Sequence, residues 1–257
     1  MLPLQRKQRL AAYLADKGAA TLKELSGHFG VSEMTIRRDL NLLEREQVIR
    51  RSHGGAVYLG LPAAEEPKLP DKQASNSDVK SRLAAYAAAH FVREGDTIVL
   101  ENGTTVSRMA EHLNHLNELT LLTNGIDTLN LFRPHADERR TMLSCGGMFR
   151  EVSGTFVGPE AESFFAHYHA DTLFLSALGF TPEAGFTDPN PLDTQVKKMM
   201  IRSAARVVML LDSSKAGRRF LSPVASLSEI DVWITDEGLS PENRIWIQEN
   251  GVELHVV

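Results

Sequence analysis

The 257-residue chain has a single cysteine, Cys145, so it forms no internal disulfide and no cluster of thiolate metal ligands. The reading left for that residue is a buried, inert thiol. No apolar stretch approaches the ~20 uncharged residues of a membrane-spanning helix. The first residues, MLPLQRKQRLAAYLADKG, scatter charges where a signal peptide needs an uninterrupted apolar core. A cytoplasmic protein with no membrane association is therefore expected. Aromatic residues are few, at 7%, and Phe164, Phe165, Trp233 and Trp246 read as core or interface rather than as a stacking platform. His112, His115, His135, His167 and His169 keep no metal-ligand spacing with carboxylates, so no metal and no cofactor is expected. Internal repeats and low-complexity tracts are lacking too. What remains is an ordinary globular composition, long enough for one or two domains.

The net charge of -5 conceals an asymmetry. Residues 1–60 carry ten Lys and Arg against six acids, or +4, which leaves -9 for the rest of the chain. A polyanion such as DNA would be attracted at one end only. The segment 61–76, LPAAEEPKLPDKQASN, has three prolines and mixed charge, and reads as a linker between a domain over 1–60 and one over 77–257. After it, short apolar runs at Thr97–Leu100, Leu119–Leu122, Thr141–Leu143, Thr172–Leu175, Val207–Leu211, Val232–Ile234 and Val252–Val256 predict strands. Helices are predicted between most of them, at Val106–Leu113, Ile126–Phe132, Pro159–His167, Leu192–Ala205 and Pro241–Asn250. This alternation predicts an α/β fold with a largely parallel sheet.

The first 60 residues follow a different pattern. Leu10, Tyr13 and Leu14 give one buried helix face. Thr21-Leu22-Lys23-Glu24 is a capping box opening a short helix, Gly30-Val31 supplies a turn, and Ser32 caps a third helix running to about Glu46. In that helix Ile36, Leu40 and Leu43 form the buried stripe. Met34, Arg38, Asn41 and Arg45 lie opposite, flanked by Thr35 and Arg37. An outer face of this kind suits a DNA major groove: arginine forks bind guanine edges or phosphates, asparagine pairs with adenine, and the turn Ser32–Thr35 faces a phosphate. Two short strands around Ser52-His53-Gly54-Gly55 make a wing, whose Arg50, Arg51 and His53 reach the backbone or minor groove.

The run Gly30-Val31-Ser32-Glu33-Met34-Thr35-Ile36-Arg37-Arg38-Asp39-Leu40, with Leu43-Glu44 and Arg51-Ser52-His53-Gly54-Gly55-Ala56, resembles the DeoR family of bacterial repressors. The likeness extends through the whole chain. It implies an N-terminal winged helix-turn-helix and a larger C-terminal α/β domain similar to ribose-5-phosphate isomerase.

In that larger domain, polar turns end several predicted strands: Glu101-Asn102-Gly103-Thr104-Thr105, Thr123-Asn124-Gly125, Ser144-Cys145-Gly146-Gly147 and Asp212-Ser213-Ser214-Lys215. In open parallel sheets such loops converge on one crevice. Hydroxyls, backbone amides and the Lys215 charge favour a phosphate, while Asp and Asn groups suit sugar hydroxyls. The family resemblance implies an effector site of Gly103, Thr104, Thr105, Thr123, Asn124, Gly146, Gly147 and Lys215, with Lys197 on the helix before the Asp-Ser-Ser-Lys segment. Two positions depart from the family pattern. Glu101 stands where Asp is usual, and Asp193 where Glu often precedes the lysine; each changes reach by one methylene.

The leading expectation is a non-enzymatic transcription regulator, a homo-oligomer (dimer or tetramer) that binds an operator in double-stranded DNA. A phosphorylated sugar or sugar derivative releases it, derepressing a carbohydrate catabolic operon. The alternative is a sugar-phosphate isomerase or deaminase-like enzyme fused to a DNA-binding domain. Such an enzyme needs a positioned general base, for which Glu101, Asp193 and Asp212 are conceivable.

Overall fold

The computed structural model of the chain describes residues 6–7, 9–10, 13–14, 19–45, 49–52, 54–58 and 66–257. Its contacts divide the chain into two compact units, Met1–Glu65 and Glu66–Val257.

In the first unit, strand β1 (Ala19–Thr21) leads into α1 (Leu22–Phe29), and α2 (Glu33–Arg45) is followed by a hairpin of β2 (Ile49–Ser52) and β3 (Gly55–Tyr58). The capping box forms as expected: Glu24 N donates to Thr21 Oγ1 at 3.2 Å, and Thr21 N donates to a Glu24 carboxylate oxygen at 2.7 Å. Gly30 ends α1 at φ 63°, a left-handed conformation that a side chain would strain. The wing gains a strand that sequence reading did not anticipate, since β1 pairs antiparallel with β3. Leu10, Leu14, Leu22, Leu25, Ile36, Leu40, Leu43 and Ile49 make the core of this unit.

The second unit opens with α3 (Leu69–Ala74) and α4 (Ser77–Phe91), neither of them predicted. The expected linker is thus folded from Glu66 onward. Its prolines misled because Pro70 sits in the first turn of α3, where a missing N–H costs nothing. Then come β4 (Thr97–Leu100), a 3-10 helix (Ser107–His112), β5 (Leu119–Thr123), α5 (Ile126–Phe132) and β6 (Arg140–Ser144). A hairpin of β7 (Met148–Arg150) and β8 (Thr155–Val157) precedes α6 (Pro159–Ala166) and β9 (Ala170–Leu175). Next are β10 (Gly179–Thr181), β11 (Gly185–Asp188), α7 (Pro191–Ser203), β12 (Ala204–Leu210) and β13 (Ser222–Ala225), and the chain finishes with β14 (Val232–Thr235), α8 (Pro241–Glu249) and β15 (Glu253–Val256).

The seven predicted strands join one seven-stranded sheet in the order β15-β14-β12-β9-β4-β5-β6, parallel throughout. Alternate residues feed opposite cores. Val99, Leu173, Leu175 and Met209 pack toward α6 and α7, while Ile98, Leu100, Phe174 and Leu210 pack toward α4 and the 3-10 helix. Burying a side chain such as Phe174 completely stabilises by roughly 1.5–3 kcal/mol. The chain builds β4, β5 and β6 outward in one direction, then returns to lay β9 on the other side of β4. That reversal opens a crevice at the carboxyl ends of β4 and β9, the position where open α/β sheets bind ligands. A small antiparallel sheet, β10-β11-β13, was not foreseen.

Candidate functional site

On α2 the buried stripe is as expected, with Ile36 and Leu40 at 0% exposure and Leu43 at 2%. Met34, Arg37, Arg38 and Asn41 are exposed, and Met34, an apolar side chain at 73% exposure, stands fully in solvent. Ser32 Oγ accepts from Thr35 N at 3.3 Å and lies 3.0 Å from Thr35 Oγ1, which fixes the first turn of the helix. Asp39 is buried inside the motif and paired with Arg6 at 2.5 Å, so its role is to hold the helix in place. Arg51 was expected to extend to DNA. It instead turns back, donating from its guanidinium to Asn41 Oδ1 at 2.6 Å and from its amide to Glu44 Oε1 at 3.0 Å. The side chains of Arg45 and Arg50, and the whole of His53, lie outside the described residues.

In the second unit a cavity of about 70 Å³ sits at the crevice where β4 and β9 end. Seven of the expected effector residues line it: Glu101, Gly103, Thr104, Thr105, Asp193, Lys197 and Lys215. The loop after β4 approaches the end of β9 closely. A Cβ on Gly103 would lie 1.8 Å from Ser176 Oγ, so only glycine fits. Ser107 N bonds to Gly103 O, while the amides of Thr104 and Thr105 meet no acceptor among the described residues. The expected helix start is a short 3-10 helix, so its dipole contributes less than an α-helix would.

Four expected residues do not line the cavity. Thr123 and Asn124 are buried behind it: Thr123 Oγ1 donates to Leu100 O at 2.7 Å, and Asn124 Oδ1 accepts from Asn102 N at 3.3 Å. They brace the loop that carries Gly103. Gly146 and Gly147 form the turn between β6 and β7 at φ 61° and 109°, and a Cβ on Gly147 would strike Val157 O at 2.7 Å. Their part is structural, because β6 lies at the sheet edge, one strand beyond β5.

The sensor half matches the DeoR C terminal sensor domain over residues 75–237, and the first unit matches the DeoR-like helix-turn-helix domain over residues 6–60. The chain belongs to the DeoR family. It is a DNA-binding transcription regulator. The uncharacterized HTH-type transcriptional regulator YulB of Bacillus subtilis is 35% identical over 100% of this chain and 98% of its own length. The HTH-type transcriptional regulator GlpR of Haloferax volcanii is 36% identical over 98% and 97%. The glycerol-3-phosphate regulon repressor of Escherichia coli is 28% identical over 92% of both chains. Among solved structures, ribose 5-phosphate isomerase A of Methanocaldococcus jannaschii covers 55% of each chain at 19% identity and a TM-score of 0.40, a distance at which the likeness carries no functional argument.

The cavity of this DeoR-family chain also has walls that sequence reading missed. Lys80 comes from α4, Asp188 from β11, and Glu66 and Lys72 from the segment 61–74 that neither family match includes. Lys197 is the buried hub: Nζ lies 2.6 Å from Asp188 Oδ2, 3.2 Å from Glu101 Oε1 and 2.9 Å from Ser176 O. Burial opposes its charge, yet Asp188 and Glu101 hold its pKa above the ordinary lysine value. Arg150 clamps Asp193 on one side and Glu66 Oε2, at 2.7 Å, on the other. Lys72, Lys80 and Lys215 differ from Lys197. Burial lowers the pKa of all three, to about 8 for Lys80, where Lys215 adds repulsion. Their nearest carboxylates are loose, at 3.7 Å for Lys72 and Glu66 and 3.9 Å for Lys215 and Asp212. Among the described residues no group of three or more His, Cys, Asp and Glu could hold a metal ion.

Proposed function

We propose that this regulator is a repressor of a carbohydrate catabolic operon and that a phosphorylated sugar or sugar derivative releases it from its operator. The observation that carries this reading is the group Lys72, Lys80 and Lys215, three lysines crowded at one cavity beside the Gly103–Thr105 loop with too little opposing charge. A phosphate dianion supplies the missing charge, and the Thr104 and Thr105 amides and hydroxyls supply donors. Glu101, Asn190 and Asp193 lie along the wall where sugar hydroxyls would be read. The names of the E. coli glycerol-3-phosphate regulon repressor and the putative aga operon transcriptional repressor, 31% identical to this chain, agree with such a role.

The same cavity argues for sensing rather than turnover. Glu101 accepts from Gly103 N and Ser176 Oγ and pairs with Lys197. Asp193 is held by Arg150 and Thr155, and Asp212 by Asn76 and Ser214. A general base needs an oxygen free to take a proton: Glu101 and Asp193 have both oxygens engaged, and Asp212 takes its hydrogen bonds on Oδ1 and turns Oδ2 toward Lys215 at 3.9 Å. On the DNA side, Arg37, Arg38 and Asn41 are the proposed groove contacts, with Ser32, Met34 and Thr35 at the helix start. Arg45, Arg50 and His53 keep the roles expected for them, on helix and wing. Reading a two-fold operator requires at least a homodimer, acting in the cytoplasm.

The test is operator affinity at fixed salt with and without a panel of sugar phosphates, alongside a turnover assay on the same compounds. Tight, competitor-resistant binding abolished by one of them bears the reading out. Detectable conversion of a sugar phosphate without operator binding would place the enzyme first.

A further inference from the structure

Glu66 occupies the cavity as an anion of the protein's own. Five carboxylates there face four lysines and Arg150, so formal charge balances over the cavity as a whole, while Lys72, Lys80 and Lys215 are opposed only by Asp212 and by the share of Glu66 that Arg150 leaves. Lys197 is matched by Asp188 and Glu101, and Arg150 by Asp193 and Glu66. Of the five carboxylates, only Glu66 precedes the first helix of the sensor unit. The others stand on β11, on α7, or directly after β4 and β12.

The segment carrying Glu66 is fastened by polar contacts. Arg108 donates to Gln73 O at 3.1 Å, Gln73 donates to Asp127 at 3.1 Å, Asn76 donates to Asp212 at 3.0 Å, and Lys80 donates to Lys72 O. Helix α3 has no buried residue. An element with little buried apolar area, here the half-buried Leu69, opens at lower cost than the core around it. One of these contacts, from Lys80 to Lys72 O, uses a lysine that a phosphate would claim, and the Lys72 amine pairs with Glu66 itself.

Building on the effector reading above, we infer that Glu66 is an internal competitor for the effector. An anionic group entering beside Lys72 and Lys80 displaces the Glu66 carboxylate and frees the strap 66–76. The strap is continuous in sequence with the DNA-binding unit, which ends at Glu65, so its release is the first step that carries occupancy toward that unit. This gives the ligand what an allosteric effector requires: different affinities for two states, strap seated and strap released.

The experiment uses the full-length protein and inorganic phosphate at constant ionic strength. Calorimetry gives affinity, and amide hydrogen exchange follows residues 69–76. Phosphate is expected to speed exchange across α3 in the wild type. E66Q, which keeps the shape and drops the charge, is expected to bind phosphate roughly fivefold or more tightly and to exchange fast before phosphate is added. E66D, which keeps the charge, is expected to stay near the wild type. Phosphate binding that is lost in K215A but equal in wild type and E66Q overturns the competitor role and leaves the effector site standing. Phosphate that protects α3 from exchange overturns it as well. If neither the wild type nor E66Q binds phosphate, the effector reading fails, and the inference with it.

Discussion

The guanidinium of Arg51 donates to Asn41 Oδ1 at 2.6 Å, tying the wing to the exposed face of the recognition helix. The contact fixes the spacing between the recognition helix and the wing, and it uses one of the two lone pairs of Asn41 Oδ1, leaving the other and the amide N–H groups for a base. Arg51→Ala is expected to weaken operator binding by roughly 1–2 kcal/mol, the scale of one hydrogen bond to a charged group. It should leave the slope of log affinity against log salt unchanged, because Arg51 is not spent on a phosphate. A slope smaller by about one would instead make Arg51 a backbone contact.

Arg38 stands on the open side of the same helix. Arg38→Ala is expected to cost ~1–3 kcal/mol of operator affinity without altering affinity for a sugar phosphate. Fluorescence anisotropy on operator DNA and calorimetry on the ligand separate the two, and joint loss of both would contradict independent reading and sensing surfaces.

Gly103→Ala would place a methyl 1.8 Å from Ser176 Oγ and 2.7 Å from Glu101 Oε2. The loop must then shift away from the end of β9. We expect effector affinity to fall about tenfold or more, since overpacking of this kind costs ~1–3 kcal/mol, while operator binding persists. In cells the variant would repress and not respond to inducer, and a normally inducible variant would show that the loop is not part of the site.

Lys197→Met would leave Asp188 and Glu101 buried together without their shared cation. Breaking one side of such a group costs about 3–5 kcal/mol, which urea unfolding can read directly. In the wild type the folded pKa of Lys197 lies above the unfolded value, so its contribution is complete at neutral pH. It is lost only as pH climbs past the ordinary lysine range.

Lys80 has the opposite sign. Its folded pKa, about 8, lies below the ordinary 10.5, so the unfolded chain binds the extra proton between these values. The stability of the ligand-free protein therefore rises with pH across that window. A bound dianion favours the charged lysine, so phosphate affinity is expected to fall over the same window and proton uptake to accompany binding near pH 8. Calorimetry in buffers of different ionisation enthalpy measures that uptake, and a value of zero would remove Lys80 from the phosphate group.

What could be read in the sequence depended on periodicity and on punctuation. Ile36, Leu40 and Leu43 repeat at helical spacing on one side of a polar face, and all are buried. The strands of the large sheet are apolar runs bounded by turns, and the glycine and hydroxyls after Leu100 do line the cavity. Glu66 and Lys72 could not be found that way: they lie in a proline-bearing stretch whose helix is held by polar contacts, with no apolar stripe to mark it. Lys80 was missed because α4 is alanine-rich and apolar on several sides, so one lysine turned inward leaves no trace in the pattern. Asp188 belongs to a strand that forms a short hairpin with β10 and pairs with the distant β13, and that second, non-local pairing has no signature in sequence. Thr123, Asn124, Gly146 and Gly147 show the reverse error. Their residue types suit phosphate, but the strand order sets them behind the cavity or beside it.

The strand order also governs when each half of the protein exists during synthesis. Every described pairing in the DNA-binding unit falls within residues 19–58, whereas β4 finds its neighbour β9 only after more than seventy further residues, and Lys215 comes later still. At the ~5–20 residues per second of a working ribosome, the cavity wall emerges roughly ten to thirty seconds after the wing. A nascent or prematurely terminated chain thus carries the helix and wing proposed to meet the groove before it has any means of being told to let go.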